Sequence, residues 1–460
     1  MDKINLFLLI SLLFFFSCKT EDDNPNPLIV EQEQEEVVDT ITPTGVEQYL
    51  NMDSDYIFDQ EKLHTFELNL PESALAQLDA DPAAEVYVEG SLTFEGETIS
   101  PVGIRYKGSI GAFVNCVSGN DWSNPSGFKT CTKLSMKVKI NWDGSDNRFY
   151  GLKKLQFHSQ NLDPSQMRER LGYWLFRAMD VPAPRSVHAR LVINGVYSGL
   201  YALTEQIDGR FTRYNFDDGT GNLYKEIWPL HSNGQPHSTQ TYLNALKTNE
   251  DENPTADLIR DFAQEIVDAD AGNIQNVISS RMIVDEVLAY AVVDRMIRND
   301  DGAFHWYCNG SVCAPHNFYW YEEPTAATLH LIPWDLDNAF ENIISNANSV
   351  TPIADDWGET RANCQPFSYG SFGLRQRSAA CDKLTGGWAS FTDEYAQLRT
   401  QFIDGPFSAA SVNMLLNTWE AQIRTATVEA SGLYGDAISI SEWENAGGKL
   451  RAQVEYARVH

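Results

Sequence analysis

Positive charge is what this 460-residue chain has least of: 34 Lys and Arg stand against 64 Asp and Glu, a formal charge of −30. Such a surface repels nucleic acid and anionic lipid, which argues against a nucleic-acid partner. An anionic ligand would need a local basic island or its own cations. Cys-x-x-Cys is absent, and with it the tight thiolate pairs of most structural zinc sites. No internal repeat occurs, and no low-complexity segment beyond an acidic stretch near the N-terminus. The apolar stretch Leu6–Phe16 is too short for a mature membrane-spanning helix. Asp143-Gly144-Ser145-Asp146-Asn147 begins like a Ca²⁺ loop but lacks the distal Glu, so it reads as a turn.

Apolar residues at 43% and aromatics at 12% indicate a globular protein with material for one large domain or two moderate ones. Lys3 precedes the apolar stretch and Ser17-Cys18 follows it, resembling a bacterial lipoprotein cleavage box, although Phe15 and Phe16 stand where smaller residues are usual. Residues 1–17 are therefore expected as a signal peptide and 18–55 as an acidic tether carrying lipid on Cys18. The mature protein is expected outside the cytoplasm, anchored to a membrane of the cell envelope, with either membrane face, the cell surface included, left open. Of the 7 cysteines, those after Cys18 fall into the local couples Cys116/Cys131, Cys308/Cys313 and Cys364/Cys381. In an exported chain that pattern predicts three disulfides.

The stretch His330–Phe340 ends a short apolar strand at Pro333 and then sets Asp335 and Asp337 two residues apart. If the backbone stays extended, the two carboxylates share a face and repel unless a hard cation such as Mg²⁺ lies between them. Taken alone, the pair reads first as a solvated strand end. Lys133, Ser135, Lys137 and Lys139 alternate with Leu134, Met136, Val138 and Ile140, so one face of a strand over 133–140 is basic. That face suits a polyphosphate, or simply solvent at a sheet edge. Arg105 and Lys107 lead into Gly108-Ser109-Ile110-Gly111, a loop whose amides could receive phosphate oxygens or form an ordinary turn. Strands 86–90 and 91–94 are expected to turn at Gly90, and Asn194-Gly195 predicts a hairpin. A helix is expected from Asp163-Pro164 to Met179, with Glu169 near its start. A second, apolar helix over 282–297 ends in Arg298-Asn299-Asp300-Asp301-Gly302. Acids there oppose the helix dipole, which suggests that the carboxylates are used.

Taken in order, these motifs resemble the spore-coat protein H (CotH) family of atypical protein kinases over most of residues 60–420. The residues that carry the resemblance are 102–109, 133–140, 149–155, Arg168-Glu169, Val181-Pro182-Ala183-Pro184-Arg185, Gly199-Leu200-Tyr201, Glu205-Gln206-Ile207-Asp208, 221–225, Asn299-x-Asp301, Asn317 and 332–337. The resemblance implies an α+β, kinase-like two-lobed fold, with an antiparallel β-rich N-terminal lobe over 56–245 and a helical C-terminal lobe over 246–460. It implies ATP with Mg²⁺ or Mn²⁺ and a protein substrate phosphorylated on Ser or Thr. Asp335 matches the metal-binding aspartate, with Asp337 beside it. Asp301 matches the catalytic aspartate, with Asp300 as the adjacent alternative. Lys137 is the expected phosphate lysine, with Lys139 and Lys133 as competitors and Arg105 and Lys107 nearby. Glu169 would orient that lysine. The chain departs from the family pattern in its cysteine-bearing insertion between Asp301 and Asp335, and in Glu341, where glycine is common. The rival reading is an inactive kinase-fold surface lipoprotein serving as adhesin, scaffold or binding module.

Overall fold

The computed structural model describes residues 54–459 except 109, 114, 122–123, 251–253, 311, 342, 344–363 and 370–373. The signal peptide, Cys18 and nearly all of the expected tether lie outside the described residues. Ser54 and Asp55 are already tied down: Arg185 donates to Ser54 Oγ at 2.8 Å and pairs with Asp55 at 2.6 Å.

Strands β1 (His64–Asn69), β2 (Val88–Phe94), β3 (Glu97–Tyr106), β4 (Met136–Lys139), β5 (Lys154–His158), β6 (Ser186–Ile193) and β7 (Val196–Thr204) close into a barrel in the order β1-β2-β3-β4-β5-β7-β6. The β1–β6 pair that closes it is parallel, and the other pairs are antiparallel. Because side chains alternate along a strand, Leu134, Met136, Val138 and Ile140 fill the barrel with Ile104, Tyr106, Phe157 and Leu203. The opposite face is not open to solvent. Arg105 and Lys137 are only 3% exposed: Arg105 lies against Glu85 and the Tyr87 ring, and further along the polar wall Glu169 of the Arg168–Arg177 helix packs on His158 and Thr204.

Several local expectations change. Gly90 lies inside β2 at a register irregularity, not at a turn. A Cβ there would come within 2.8 Å of the Asn69 carbonyl oxygen and 2.7 Å of Ile104 Cδ1, so glycine serves a close approach of strands. The turn falls at Glu95-Gly96, both with positive φ, as does the expected one at Asn194-Gly195. The expected helix begins at Arg168 and not at Pro164. The Asp163 carboxylate holds the intervening turn by accepting from Ser165 N and Arg168 N, each at 2.9 Å. The lysine strand shortens to Met136–Lys139, and Lys133 turns its amine to the Leu200 carbonyl at 2.7 Å.

In the second half, β8 (Leu223–Lys225) pairs with the hairpin formed by β11 (Phe318–Glu323) and β12 (Thr328–Pro333). Between them in sequence come the Asp257–Asp268, Ile274–Arg281 and Val284–Met296 helices, then the hairpin of β9 (Trp306–Asn309) and β10 (Val312–Ala314). The Val284–Met296 helix is buried nearly all round, in a core that includes Trp320, Trp388 and Trp419. The last two helices, Ala409–Leu433 and Ile440–Val459, reach back toward the barrel. The Trp419 ring lies 4.3 Å from the Arg170 guanidinium, Trp443 Nε1 donates to the Ser165 carbonyl at 3.2 Å, and Asp436 accepts from Thr132. The architecture is α+β, and the three expected disulfides, Cys116–Cys131, Cys308–Cys313 and Cys364–Cys381, all form.

Candidate active site

The β11–β12 hairpin brings the two acid groups of the sequence together. Beyond Pro333 the chain leaves the sheet: Trp334 N donates to the Asn317 carbonyl at 3.1 Å, and Asp335 N donates to Tyr173 Oη at 3.1 Å. Asp335 takes a left-handed backbone (φ 54°), and Leu336–Asn338 forms a 3-10 turn. The condition of an extended Asp-x-Asp is therefore not met, and a turn rather than strand alternation positions the two carboxylates. They still act on each other. Burial pushes the Asp337 carboxyl well above its ordinary range, and Asp335, Glu169, Asp301 and Glu341 push it further. Asp335 is also raised, first by burial and then by Glu169, while the positive charges of Lys107 and Lys225 oppose the shift.

Asp301 enters the same field from the end of the Val284–Met296 helix. Phe340 N donates to the Ile297 carbonyl at 2.7 Å, fastening the helix end to the acid turn. Asn317 Nδ2 donates to Asp301 Oδ2 at 2.8 Å, while Asp301 Oδ1 is buried with no hydrogen-bond partner. Burial raises this carboxyl well above the usual range, and Asp335 and Glu226 add to it. Asp300 is buried as well, and its carbonyl accepts from Tyr307 Oη at 2.8 Å. The hydrogen bond to Asn317 and the mutual repulsion with Asp335 belong to Asp301.

Facing these acids is the polar wall of the barrel. Cross-strand register lines up Arg105, Lys137, Gln156, Thr204 and Ser186 in one row. Lys107 and His158 lie one step further along the same face. Lys107 Nζ donates to Gln156 Oε1 at 2.7 Å, lies 2.9 Å from His158 Nε2, and sits 5.4 Å from the Trp334 ring. His158 Nδ1 is 2.7 Å from Glu169 Oε1, which also accepts from Thr204 Oγ1 at 3.0 Å. Glu169 thus reaches Lys107 through a histidine. Lys137 is buried within the row, and Lys139 is half-buried at the strand end that pairs with Gly103 and Lys154. Arg105 is bound to Glu85 at 2.7 Å, and Gly108 N donates to the same carboxylate at 2.9 Å. Glu341 pairs with Arg168, whose guanidinium also donates to the Asp337 carbonyl at 3.2 Å.

Sequence reasoning did not single out His158, Gln156, Lys225 or Glu226. Only the strand register, which puts Gln156 opposite Lys137 and His158 two residues on, draws attention to the first two.

The family profile described as CotH kinase protein matches residues 104–457, most of the chain. The chain belongs to the CotH kinase family. No curated protein sequence matches it. Among solved structures, it is similar to the Shewanella oneidensis MR-1 toxin–antitoxin complex of HipA, HipB and operator DNA, at 13% identity and a TM-score of 0.27. That alignment covers 70% of this chain and 63% of the other, and a likeness so low carries no argument. Membership indicates a kinase-like function in general. Among the described residues no cluster of three or more His, Cys, Asp or Glu forms a ready-made metal cage. That pattern is compatible with Mg²⁺, which keeps several waters and takes one or two carboxylates plus substrate phosphates. The orphaned Asp301 oxygen and the mutually raised acids Asp335 and Asp337 have the oxygen chemistry and the excess negative charge that such a cation relieves.

Proposed function

We propose that this CotH-family chain is a metal-dependent protein kinase that transfers the γ-phosphate of ATP to Ser or Thr hydroxyls of a protein at the cell envelope. The observation that carries the proposal is the opposition of Lys107, on the barrel wall, to Asp335, with Asp301 in the same field of acids. Phosphoryl transfer needs little covalent help from the protein, and mainly needs charge neutralisation and alignment. Asp335, with Asp337 beside it, would hold Mg²⁺ or Mn²⁺, which when bound neutralises phosphate charge. Lys107 would take the inner phosphates, in preference to Lys137 and Lys139. Asp301, held by Asn317, would orient the incoming hydroxyl and accept its proton; its raised affinity for protons suits that role. Three disulfides and the Cys18 signal support a location outside the cytoplasm with a lipid anchor.

The test is nucleotide binding and transfer of labelled γ-phosphate with and without Mg²⁺ or Mn²⁺. Asp335→Ala should abolish metal-dependent nucleotide binding and transfer. Asp301→Ala should leave binding largely intact and slow transfer by about 10²–10⁴. A wild-type protein that neither binds nucleotide nor transfers label sinks the kinase reading and leaves the surface-binding module in its place.

A further inference from the structure

We infer that His158 is a positioning residue of this site: a neutral imidazole that hydrogen-bonds Glu169 to Lys107 and so aims the lysine. The inference rests on the kinase reading for what Lys107 is aimed at, but the relay itself is a property of the free protein.

The donor and acceptor inventory assigns the tautomer. Glu169 Oε1, an acceptor when ionised, lies 2.7 Å from His158 Nδ1, so Nδ1 carries the proton. Lys107 Nζ, an ammonium with donors only, lies 2.9 Å from Nε2, so Nε2 must offer its lone pair. A doubly protonated ring would set two cationic donors against each other at that distance. A ring with the proton on Nε2 would set a donor against the ammonium and a lone pair against the carboxylate. Only the neutral Nδ1–H form satisfies both contacts at once.

The surroundings hold the ring in this pose. The Glu169 oxygen that takes Nδ1 is fixed from the other side by Thr204 Oγ1 at 3.0 Å, and Thr204 Oγ1 is itself 3.0 Å from Ser186 Oγ. Glu169 and Lys107 are 3% and 5% exposed. The His158 ring stands edge-on to Trp334 at 5.9 Å, beside the turn that carries Asp335. The second barrel-wall acceptor for Lys107 is Gln156 Oε1, also uncharged.

Here His158 and Gln156 both contact the Lys107 ammonium, and the Glu169 carboxylate is set back behind the ring. His158 therefore determines where Lys107 points, and Glu169 determines which way round His158 sits.

Two readouts on the full disulfide-bonded protein separate the relay from the kinase reading. Nitrogen-15 spectra of the histidine rings, without nucleotide, should show His158 neutral with the proton on Nδ1 near neutral pH. Glu169→Gln should disturb that signature, while folding, read by thermal denaturation, stays cooperative. A ring protonated on Nε2, or on both nitrogens, overturns the relay whatever the protein does with nucleotides. The second readout is ATP·Mg²⁺ affinity in a double-mutant cycle. His158→Ala should weaken binding about tenfold or more in the wild-type background and by less than about twofold in Lys107→Met. His158→Gln, which can still accept from Lys107, should recover part of the loss. A His158→Ala effect of equal size in both backgrounds marks a merely structural residue and overturns the inference. Absence of nucleotide binding by the wild type is a failure of the kinase reading alone, because the spectral result still decides the relay.

Discussion

Replacing Asp294 by Asn should stabilise the protein at pH 8 and not at pH 4.5. Asp294 is 1% exposed inside the Val284–Met296 helix, just ahead of the loop that carries Asp301. Asn299 Nδ2 donates to Asp294 Oδ2 at 3.0 Å, while Oδ1 is buried with no hydrogen-bond partner. Burial outweighs Asn299 and Arg295 and pushes the carboxyl from 3.8 up to about 7. An acid raised on folding binds more protons in the folded chain than in the unfolded one between those two values. Stability from this group therefore falls as pH rises from about 4 to about 7 and stays low above that. A rise of about 3 pKa units corresponds to a penalty of about 4 kcal/mol at pH 8. Asn keeps an acceptor for Asn299 but leaves a buried N–H pair without partners, at a cost of about 1–2 kcal/mol. The expected net gain is about 2–3 kcal/mol at pH 8, turning to a small loss at pH 4.5. Urea denaturation of the oxidised protein across that range reads the change. An effect independent of pH, or a loss of stability at pH 8, refutes the argument.

Gly90→Ala should destabilise the barrel by about 1–3 kcal/mol because the new Cβ meets the Asn69 carbonyl oxygen, whereas Gly448→Ala, with open space around it, should be neutral or gain up to about 1 kcal/mol. Denaturation midpoints of the two variants should move in opposite directions or differ clearly in size. Arg170→Met should cost about 2–5 kcal/mol, because it removes bonds to Gln60, His188 and Gln422 from a fully buried guanidinium. The melting temperature reads that loss, and an unchanged value would mean that the Ala409–Leu433 helix does not depend on this contact. Cys18→Ala should release the protein from the membrane or block its maturation, as seen by cell fractionation. Unchanged processing and membrane retention would reject the lipid anchor.

The features that could be read from sequence depend on short-range order. The inward set Leu134, Met136, Val138 and Ile140 follows from period two, the Asn194-Gly195 hairpin from turn chemistry, and the disulfides from cysteines that are near neighbours in the chain. The acid groups around Asp301 and Asp335 stood out because carboxylates at a helix end and at a strand end each need a reason to be there. Choosing among the lysines was beyond such reasoning. Arg105, Lys107, Lys137 and Lys139 alternate onto one barrel face, and alternation ranks none of them. What separates them is which end of the strands meets the Arg168–Arg177 helix and the β12 turn.

Composition, periodicity and local turn chemistry by themselves determined an acidic globular protein with an alternating strand of one apolar face, a long apolar helix, three local cysteine couples and two acid groups. Each of these rests on residues close together in sequence, where the backbone repeat sets the geometry. Tertiary structure alone decided that Asp335 leaves the strand, since the hydroxyl that holds its amide belongs to Tyr173, 162 residues away. It also decided that His158 stands between Glu169 and Lys107, a contact made across 51 residues on one side and 11 on the other. Such contacts depend on the register in which strands pair and on the face a helix turns toward them. Those choices are made by packing the whole molecule, and no local stretch encodes them.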